Sequence, residues 1–440
     1  MSTITIGIIS VILFLLLLIL GVHIGVSFIF TGILASTMII GWNSMLSILG
    51  QTMYYSIASP GFVALPLFVL MGAFASRGGF AKGAYNALNK IMGNIPGSLA
   101  IATCYACAAF GAISGSALAT AAVFGRLVLP EMTRYNYKKV LSLGSIAAAG
   151  TFADMIPPSM LFIVYAMFTD QSVGKLFLAG IIPGLITATV YAISIVIRVK
   201  RDPSLAPVDK SGEKISFKDK IISLKGLGPI ALISITVLGG IYSGIFTPTE
   251  AGGAGAFLAL VMGIYMGKLK KIEEFKQSLR ESAQTTSLVF MIIIGSLVFS
   301  RILSITQLPV KLTMAIQSWT MPNYIILAGI LVLWFFLGMI IIPVGIYAIT
   351  LPIIFPVILS LGYDPVWFGV ITLKMAEIAA VTPPVGLNVY SLHGVVAPQG
   401  TTLEEVFAGV WPFVICDIIV LVLLIVFPQI CLFLPNLLLG

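Results

Sequence analysis

The sequence predicts an all-α polytopic membrane protein made of two inverted repeats, each with a re-entrant hairpin and a helix broken at a Pro-Pro pair. Three observations predict it. Of 440 residues, 59% are hydrophobic and only 9% charged, whereas soluble domains carry about 25% charged residues, so lipid must be the solvent. Several apolar stretches approach or exceed the roughly 20 residues a spanning helix needs, among them Ile4–Leu20, Phe177–Ile197 and Val406–Pro435. Finally, three landmarks recur in one order at nearly one spacing. Pro130 and Pro356 are 226 residues apart, as are Pro157 and Pro383, and the Ala-Gly-x-x-Pro runs at Ala179 and Ala408 are 229 apart.

Composition also narrows the function. The chain has room for roughly ten to twelve crossings and none for a large soluble domain. The first apolar run, Ile4–Leu20, lacks a basic n-region and a small-x-small cleavage site and reads as a retained span. The net charge is +8, and the basic residues gather in connections, where Lys and Arg mark cytoplasmic loops; no nucleic-acid motif accompanies them. Cys104-Tyr105-Ala106-Cys107 has CxxC spacing but lies in an apolar helical stretch, and reads as packing. His23 and His393 are the only histidines. No metal-ligand spacing, Walker A or Rossmann glycine pattern occurs, so neither ATP nor an organic cofactor is expected.

Arg198 to Lys225 is the one long polar connection, with eight Lys/Arg residues. By the positive-inside rule it is cytoplasmic, and it divides the chain into halves. Lys268 to Arg280 reads as a short amphipathic helix at the cytoplasmic surface, and Arg77, Lys82 and Lys90 mark another cytoplasmic segment. The halves read as inverted because corresponding loops differ in charge. The loop after the first hairpin carries Arg134, Lys138 and Lys139, whereas its counterpart, Leu361 to Pro365, carries Asp364 and no Lys or Arg. Inverted repeats with broken helices near the midplane are a recurring transporter plan.

The breaks carry the chemistry. Proline donates no backbone hydrogen bond and its ring clashes with the preceding turn, so Ile156-Pro157-Pro158-Ser159 and Thr382-Pro383-Pro384-Val385-Gly386 each unwind a helix and free carbonyls. In lipid, such backbone persists only where it is buried in protein or lines a cavity. A lone Pro-Pro reads as a structural kink. Two at matching positions, flanked by Ser159 in one half and by Thr382 and Asn388 in the other, read as a binding site: hard oxygens for Na⁺ and helix N-termini for a carboxylate. Gly111 to Ala117, with its Ser114-Gly115-Ser116 centre, reads as a hairpin tip, against the alternative of close helix packing. In the second half the matching break falls around Gly338 and Pro343.

Ionisable groups inside spans are costly and face interiors or cavities. Asp154 and Glu377 are the candidates for ion coupling; a structural role competes in both cases, and more strongly for Glu377, which stands one turn from Lys374 as a helical pair. Asp417 and Arg301 also fall within or near spans. Thr247 to Gly255 reads as a helix start with Thr249 as N-cap and Glu250 in the first turn.

Taken together, Ala64-Leu65-Pro66-Leu67-Phe68-Val69-Leu70-Met71-Gly72, Ser76-Arg77-Gly78-Gly79, Ser114-Gly115-Ser116, Ile156-Pro157-Pro158-Ser159, Gly244-Ile245-Phe246-Thr247-Pro248-Thr249-Glu250-Ala251 and Thr382-Pro383-Pro384-Val385-Gly386-Leu387-Asn388 resemble the large membrane subunit of tripartite ATP-independent periplasmic (TRAP) transporters over nearly the whole chain. The resemblance implies a multi-pass protein of the bacterial inner membrane. It implies import of a small organic acid anion, such as a C4-dicarboxylate or a sialic-acid-like carboxylate, driven by Na⁺. The implied partners are a small four-helix membrane subunit and a periplasmic substrate-binding protein, besides membrane lipid.

It also implies an elevator-type fold like that of the ion transporter superfamily. Residues 1–96 and 226–321 would be scaffold helices, the latter with the amphipathic segment. Residues 97–197 and 322–440 would be the two transport repeats, and 198–225 the cytoplasmic loop. One sodium site would draw on Ser114, Ser116, Gly338, Thr382 and Val385, and another on Thr151, Pro157 and Ser159. Asn388, with Ser116, Pro158 and Pro384, would contact substrate. The chain departs from the family pattern in carrying Asp154 where Gly often precedes Ile-Pro-Pro, Ala379 where Gly is usual, and no acidic residue before Pro343.

A stand-alone ion or organic-anion transporter of related fold, and a channel, remain alternatives. An intramembrane serine protease would need His23 or His393 as base, and no Ser-His spacing supports one. The chain is not read as an enzyme.

Overall fold

The computed structural model describes residues 2–58, 60–93, 95–207, 217–318 and 321–439, and every regular element among them is a helix. Helices α1 (Thr3–Ile19), α2 (Ile24–Ile40), α3 (Trp42–Ala58), α4 (Pro60–Gly78) and α5 (Phe80–Met92) open the chain. The first repeat follows: α6 (Ser98–Ser114) and α7 (Ala117–Arg134) form a hairpin, α8 (Lys139–Gly150), α9 (Phe152–Met155) and α10 (Met160–Thr169) form the broken helix, and α11 (Val173–Arg201) runs on from it. Between the repeats lie α12 (Phe217–Ser223), α13 (Gly228–Tyr242), α14 (Pro248–Tyr265), α15 (Ile272–Thr306) and α16 (Leu308–Gln317). The second repeat has a hairpin of α17 (Asn323–Gly338) and α18 (Pro343–Ser360), a broken helix of α19 (Pro365–Val381) and α20 (Leu387–Val396), and then α21 (Leu403–Val426) and α22 (Gln429–Leu439).

Six helices among the described residues are long and apolar enough to cross a membrane, or seven if the bent pair Lys139–Met155 and Met160–Thr169 is one span. That is fewer than the length allows, because breaks cut other apolar stretches into shorter helices such as Ser98–Ser114 and Asn323–Gly338. Large apolar side chains stand on the outside, among them Ile19, Ile235, Phe257 and Phe336, as lipid demands and water would not.

Three local expectations are corrected. The segment from Lys268 to Arg280 is not a separate amphipathic helix: from Ile272 it is the start of α15, 35 residues long. No Gly or Pro interrupts the run from Ile272 to Ile294, so the polar turns simply extend the apolar span. The polar connection begins later than Arg198, because α11 continues to Arg201; residues 208–216 of it lie outside the described residues. The N-cap of α14 is Thr247, not Thr249. Pro248 has no N–H to satisfy and so fits N1. Thr247 then accepts from Glu250 N while the Glu250 carboxylate accepts from Thr247 N, a complete capping box. Replacing Thr247 by alanine is expected to cost about 1 kcal/mol, read as a lower melting temperature of the purified protein; an unchanged melt would show the cap idle.

Helix-to-helix packing explains one of the repeat landmarks, the Ala-Gly-x-x-Pro runs. Where two backbones touch, only glycine fits. In α21, a Cβ on Gly409 would lie 2.4 Å from Val140 O, and in α11 one on Gly180 would lie 2.4 Å from Met155 O. The Gly of each Ala-Gly-x-x-Pro run is therefore a point where the following helix rests on the backbone of the first broken helix.

Candidate functional site

Each break is a helix end followed by a new helix start. In the first hairpin, α6 ends at Ser114, Gly115 turns with φ +58°, and Ser116 caps α7 by accepting from Ala119 N at 3.4 Å. In the first broken helix the chain leaves α9 at Ile156 and bends by 42°. Ser159 then caps α10 by accepting from Phe162 N at 3.4 Å. In the second repeat α17 ends at Gly338 and α18 restarts at Pro343, while α19 ends at Val381 and α20 restarts at Leu387 after Gly386 at φ +59°. Both Pro-Pro bonds, Pro157–Pro158 and Pro383–Pro384, are cis.

These four starts meet. A cavity of about 690 Å³ is lined by Ser116 and Ala117 of α7, Met160 of α10, Pro343 of α18 and Leu387 of α20. The first N–H groups of a helix have no partner within it, and each start carries about half a positive charge. Four of them on one cavity make a place for an anion. The hairpin tip is wedged there: a Cβ on Gly115 would lie 3.2 Å from Pro158 O, and one on Gly72 of α4 would lie 2.3 Å from Ser114 O.

Two polar side chains complete the floor. Asn388 is fully buried and donates from Nδ2 to Ala147 O at 3.1 Å, while its Oδ1 finds no partner among the described residues. Asp154, on α9, accepts from Ala117 N at 3.2 Å through Oδ1. Its carboxylate thus sits against the start of the hairpin's second limb. Both line the cavity.

The sequence candidates divide accordingly. Ser114, Ser116, Pro158, Asp154 and Asn388 line this cavity together. Gly338, Thr382, Val385, Thr151, Pro157, Ser159, Pro384 and Glu377 do not. Ser114 Oγ lies 2.9 Å from Thr120 Oγ1, Thr382 Oγ1 donates to Ile378 O, and Thr151 Oγ1 donates to Ala148 O. Gly338 has a packing reason as well, since a Cβ there would lie 2.4 Å from that of Ala379.

Sequence reasoning did not reach the wall opposite, built by Gly72, Ser76 and Arg77 of α4 and by Glu274, Glu281 and Ser282 of α15. Arg77 ties the two helices together, at 2.7 Å from Glu274 and 2.5 Å from Glu281. The available signal was sign: a basic turn ending one apolar helix and an acidic pair, seven residues or about two turns apart, starting another. Arg126 on α7 also lines the cavity and makes no ion pair among the described residues.

Glu377 belongs to a separate, sealed cluster. Lys374 Nζ stands 2.8 Å from Glu377 and 2.6 Å from Asp417, with all three side chains fully buried. Thr187 Oγ1 lies 3.2 Å from the ammonium, and Tyr191 donates to Asp417 at 2.6 Å. The expected i,i+3 pair is therefore part of a larger cluster that joins α19, α21 and α11. Asp417 and Lys374 were each visible as intramembrane charges; only the fold pairs them.

An all-helical polytopic bundle whose interrupted helices surround one cavity is the architecture of a membrane transporter permease. The solved Alcanivorax borkumensis YdaH transporter has the same general fold, with a TM-score of 0.63 at 13% identity, covering 88% of this chain and 89% of that one. The chain belongs to the family of the tripartite ATP-independent periplasmic transporter, DctM component, whose model matches residues 11–430, and it is accordingly an inner-membrane protein. It is 33% identical to the C4-dicarboxylate TRAP transporter large permease protein DctM of Pseudomonas aeruginosa, covering 85% of this chain and 86% of that one. It is 32% identical to the sialic acid TRAP transporter large permease protein SiaM of Vibrio cholerae, covering 96% and 97%.

Proposed function

We propose that this chain is the large membrane subunit of a Na⁺-driven importer of a small carboxylate-bearing organic acid. It works with a small four-helix membrane subunit and receives its cargo from a periplasmic binding protein. The two hairpins and broken helices move together as an elevator against the remaining helices. The observation that carries this reading is the convergence of the starts of α7, α10, α18 and α20 on one cavity floored by Asn388. Helix starts gathered on one cavity favour a carboxylate, and Arg126 lines the same cavity. The hydroxyls of Ser114 and Ser116 line the same space, and each retains lone-pair capacity for a hard cation such as Na⁺. Coupling is energetically sufficient, since one charge crossing 100 mV contributes about 2.3 kcal/mol.

The test is uptake of a panel of labelled carboxylates into proteoliposomes containing both membrane subunits and the binding protein, with and without a Na⁺ gradient. Accumulation that requires the gradient supports the reading, and accumulation indifferent to Na⁺ refutes the coupling. In the same assay Asn388→Ala is expected to lower uptake at least about tenfold while the complex still assembles, because a buried polar group built for the cargo is lost. Uptake at the parent rate would remove Asn388 from the site.

A further inference from the structure

Asp154 places a carboxylate where the backbone favours an anion. It occupies the start of α7 through Ala117 N at 3.2 Å, and is 7% exposed, toward the cavity. The four helix starts supply about two positive charges in all, and Asp154 as a carboxylate cancels one. The only hydrogen bond its carboxylate accepts among the described residues is at Oδ1, and Asn388 Oδ1, buried on the same cavity, has no donor among them. The floor therefore holds two acceptors that want donors. Two cationic side chains also line the cavity. Arg77 is held between Glu274 and Glu281. Arg126 lies nine residues beyond Ala117, about 13 Å along the helix.

We propose, on the reading of this cavity as a carboxylate site, that Asp154 determines the charge class of the cargo. The transported acid carries a single carboxylate, which meets the starts of α10, α18 and α20. Beside that carboxylate it carries hydroxyl, amide or ammonium donors, which meet Asp154 and Asn388 Oδ1. A dicarboxylate would set its second charge against Asp154, and a like-charge contact in a desolvated site costs several kcal/mol.

The experiment uses the complex of the two membrane subunits in lipid nanodiscs with Na⁺, without the binding protein, whose own selectivity would otherwise intervene. It is given an equimolar mixture of succinate, 4-hydroxybutyrate, 4-aminobutyrate, gluconate and N-acetylneuraminate, and the retained acids are read by mass spectrometry. The parent complex is expected to retain donor-bearing monocarboxylates over succinate. Asp154→Asn, which keeps the acceptor for Ala117 N, is expected to shift that ratio toward succinate by well over tenfold, and Asp154→Glu is expected to keep the parental preference. A parent complex that prefers succinate, or an Asp154→Asn ratio equal to the parent's, overturns the assignment alone. An assembled Asp154→Asn complex that retains no acid overturns it in favour of an ion-coupling role. Retention of no acid by the parent overturns the carboxylate reading, and the assignment with it.

Discussion

Replacing Lys374 by methionine is expected to destabilise the protein by about 3–5 kcal/mol. The lysine is the counter-charge for two carboxylates that are fully buried, at 2.8 Å from Glu377 and 2.6 Å from Asp417. Without it both must stay ionised in a dry interior or take up protons, and Glu377 Oε1 already has no hydrogen-bond partner among the described residues. The measurement is the melting temperature and the membrane yield of the variant. The triple variant K374M/E377Q/D417N is expected to recover most of the loss, because a buried ion cluster replaced as a whole is often nearly neutral. Equal stability of K374M and the parent would show that the cluster is not held by this lysine. None of the three residues lines the cavity, so the triple variant should keep cargo binding.

Gly144→Val is expected to be nearly as damaging. On α8, a Cβ at Gly144 would lie 2.0 Å from Gly409 O and 2.3 Å from Gly409 C. Both are backbone atoms of α21, so no side chain can swing aside. The helices must separate, and the packing of α8, which carries Ala147 O against Asn388, must separate with them. Overpacking a core usually costs 1–3 kcal/mol; a direct clash between two helix backbones is expected at or beyond the upper end, about 3 kcal/mol, visible as loss of assembled complex. Gly239→Ala is the control. At that exposed position of α13 the nearest atom to a Cβ is Ile235 Cγ2 at 3.9 Å, and alanine's better helix propensity should leave stability unchanged or raised by up to about 1 kcal/mol. Loss of assembly in both variants would mean that the α8–α21 contact is not what Gly144 serves.

Much of the architecture was legible because the signals were local or periodic. The Ser-Gly-Ser tip falls between α6 and α7, and the Pro-Pro pairs fall between α10 and the helix before it and between α19 and α20, since proline and glycine interrupt a helix wherever they stand together. The start of α14 shows the limit of such reading. Thr247 and Thr249 flank one proline, and only the capping box, which needs the Glu250 carboxylate to reach back to Thr247 N, decides between them. The site was legible in part. Ser116, Asp154 and Asn388 stood out because polar groups beside helix breaks in lipid must have a partner or a cavity. Arg77, Glu274 and Glu281 did not stand out, because charges near helix ends read as solvated loops until two distant helices bring them together.

The sequence by itself determined the solvent, the broken helices and the twofold repetition. Those follow from hydropathy, from proline's missing N–H and from landmarks 226 residues apart. Only the tertiary structure decided which breaks share a cavity and which buried charges neutralise each other. Asp154 and Glu377 look alike in the sequence, each a carboxylate a few residues before a Pro-Pro pair. The fold sends Asp154 to the start of α7 at the cavity and seals Glu377 behind Lys374. The reason is physical. A buried carboxylate takes whichever donor lies within about 3 Å: for Asp154 that donor is Ala117 N, on a helix 37 residues away, whereas Glu377 has Lys374 on its own helix and only the fold adds Asp417 to that pair.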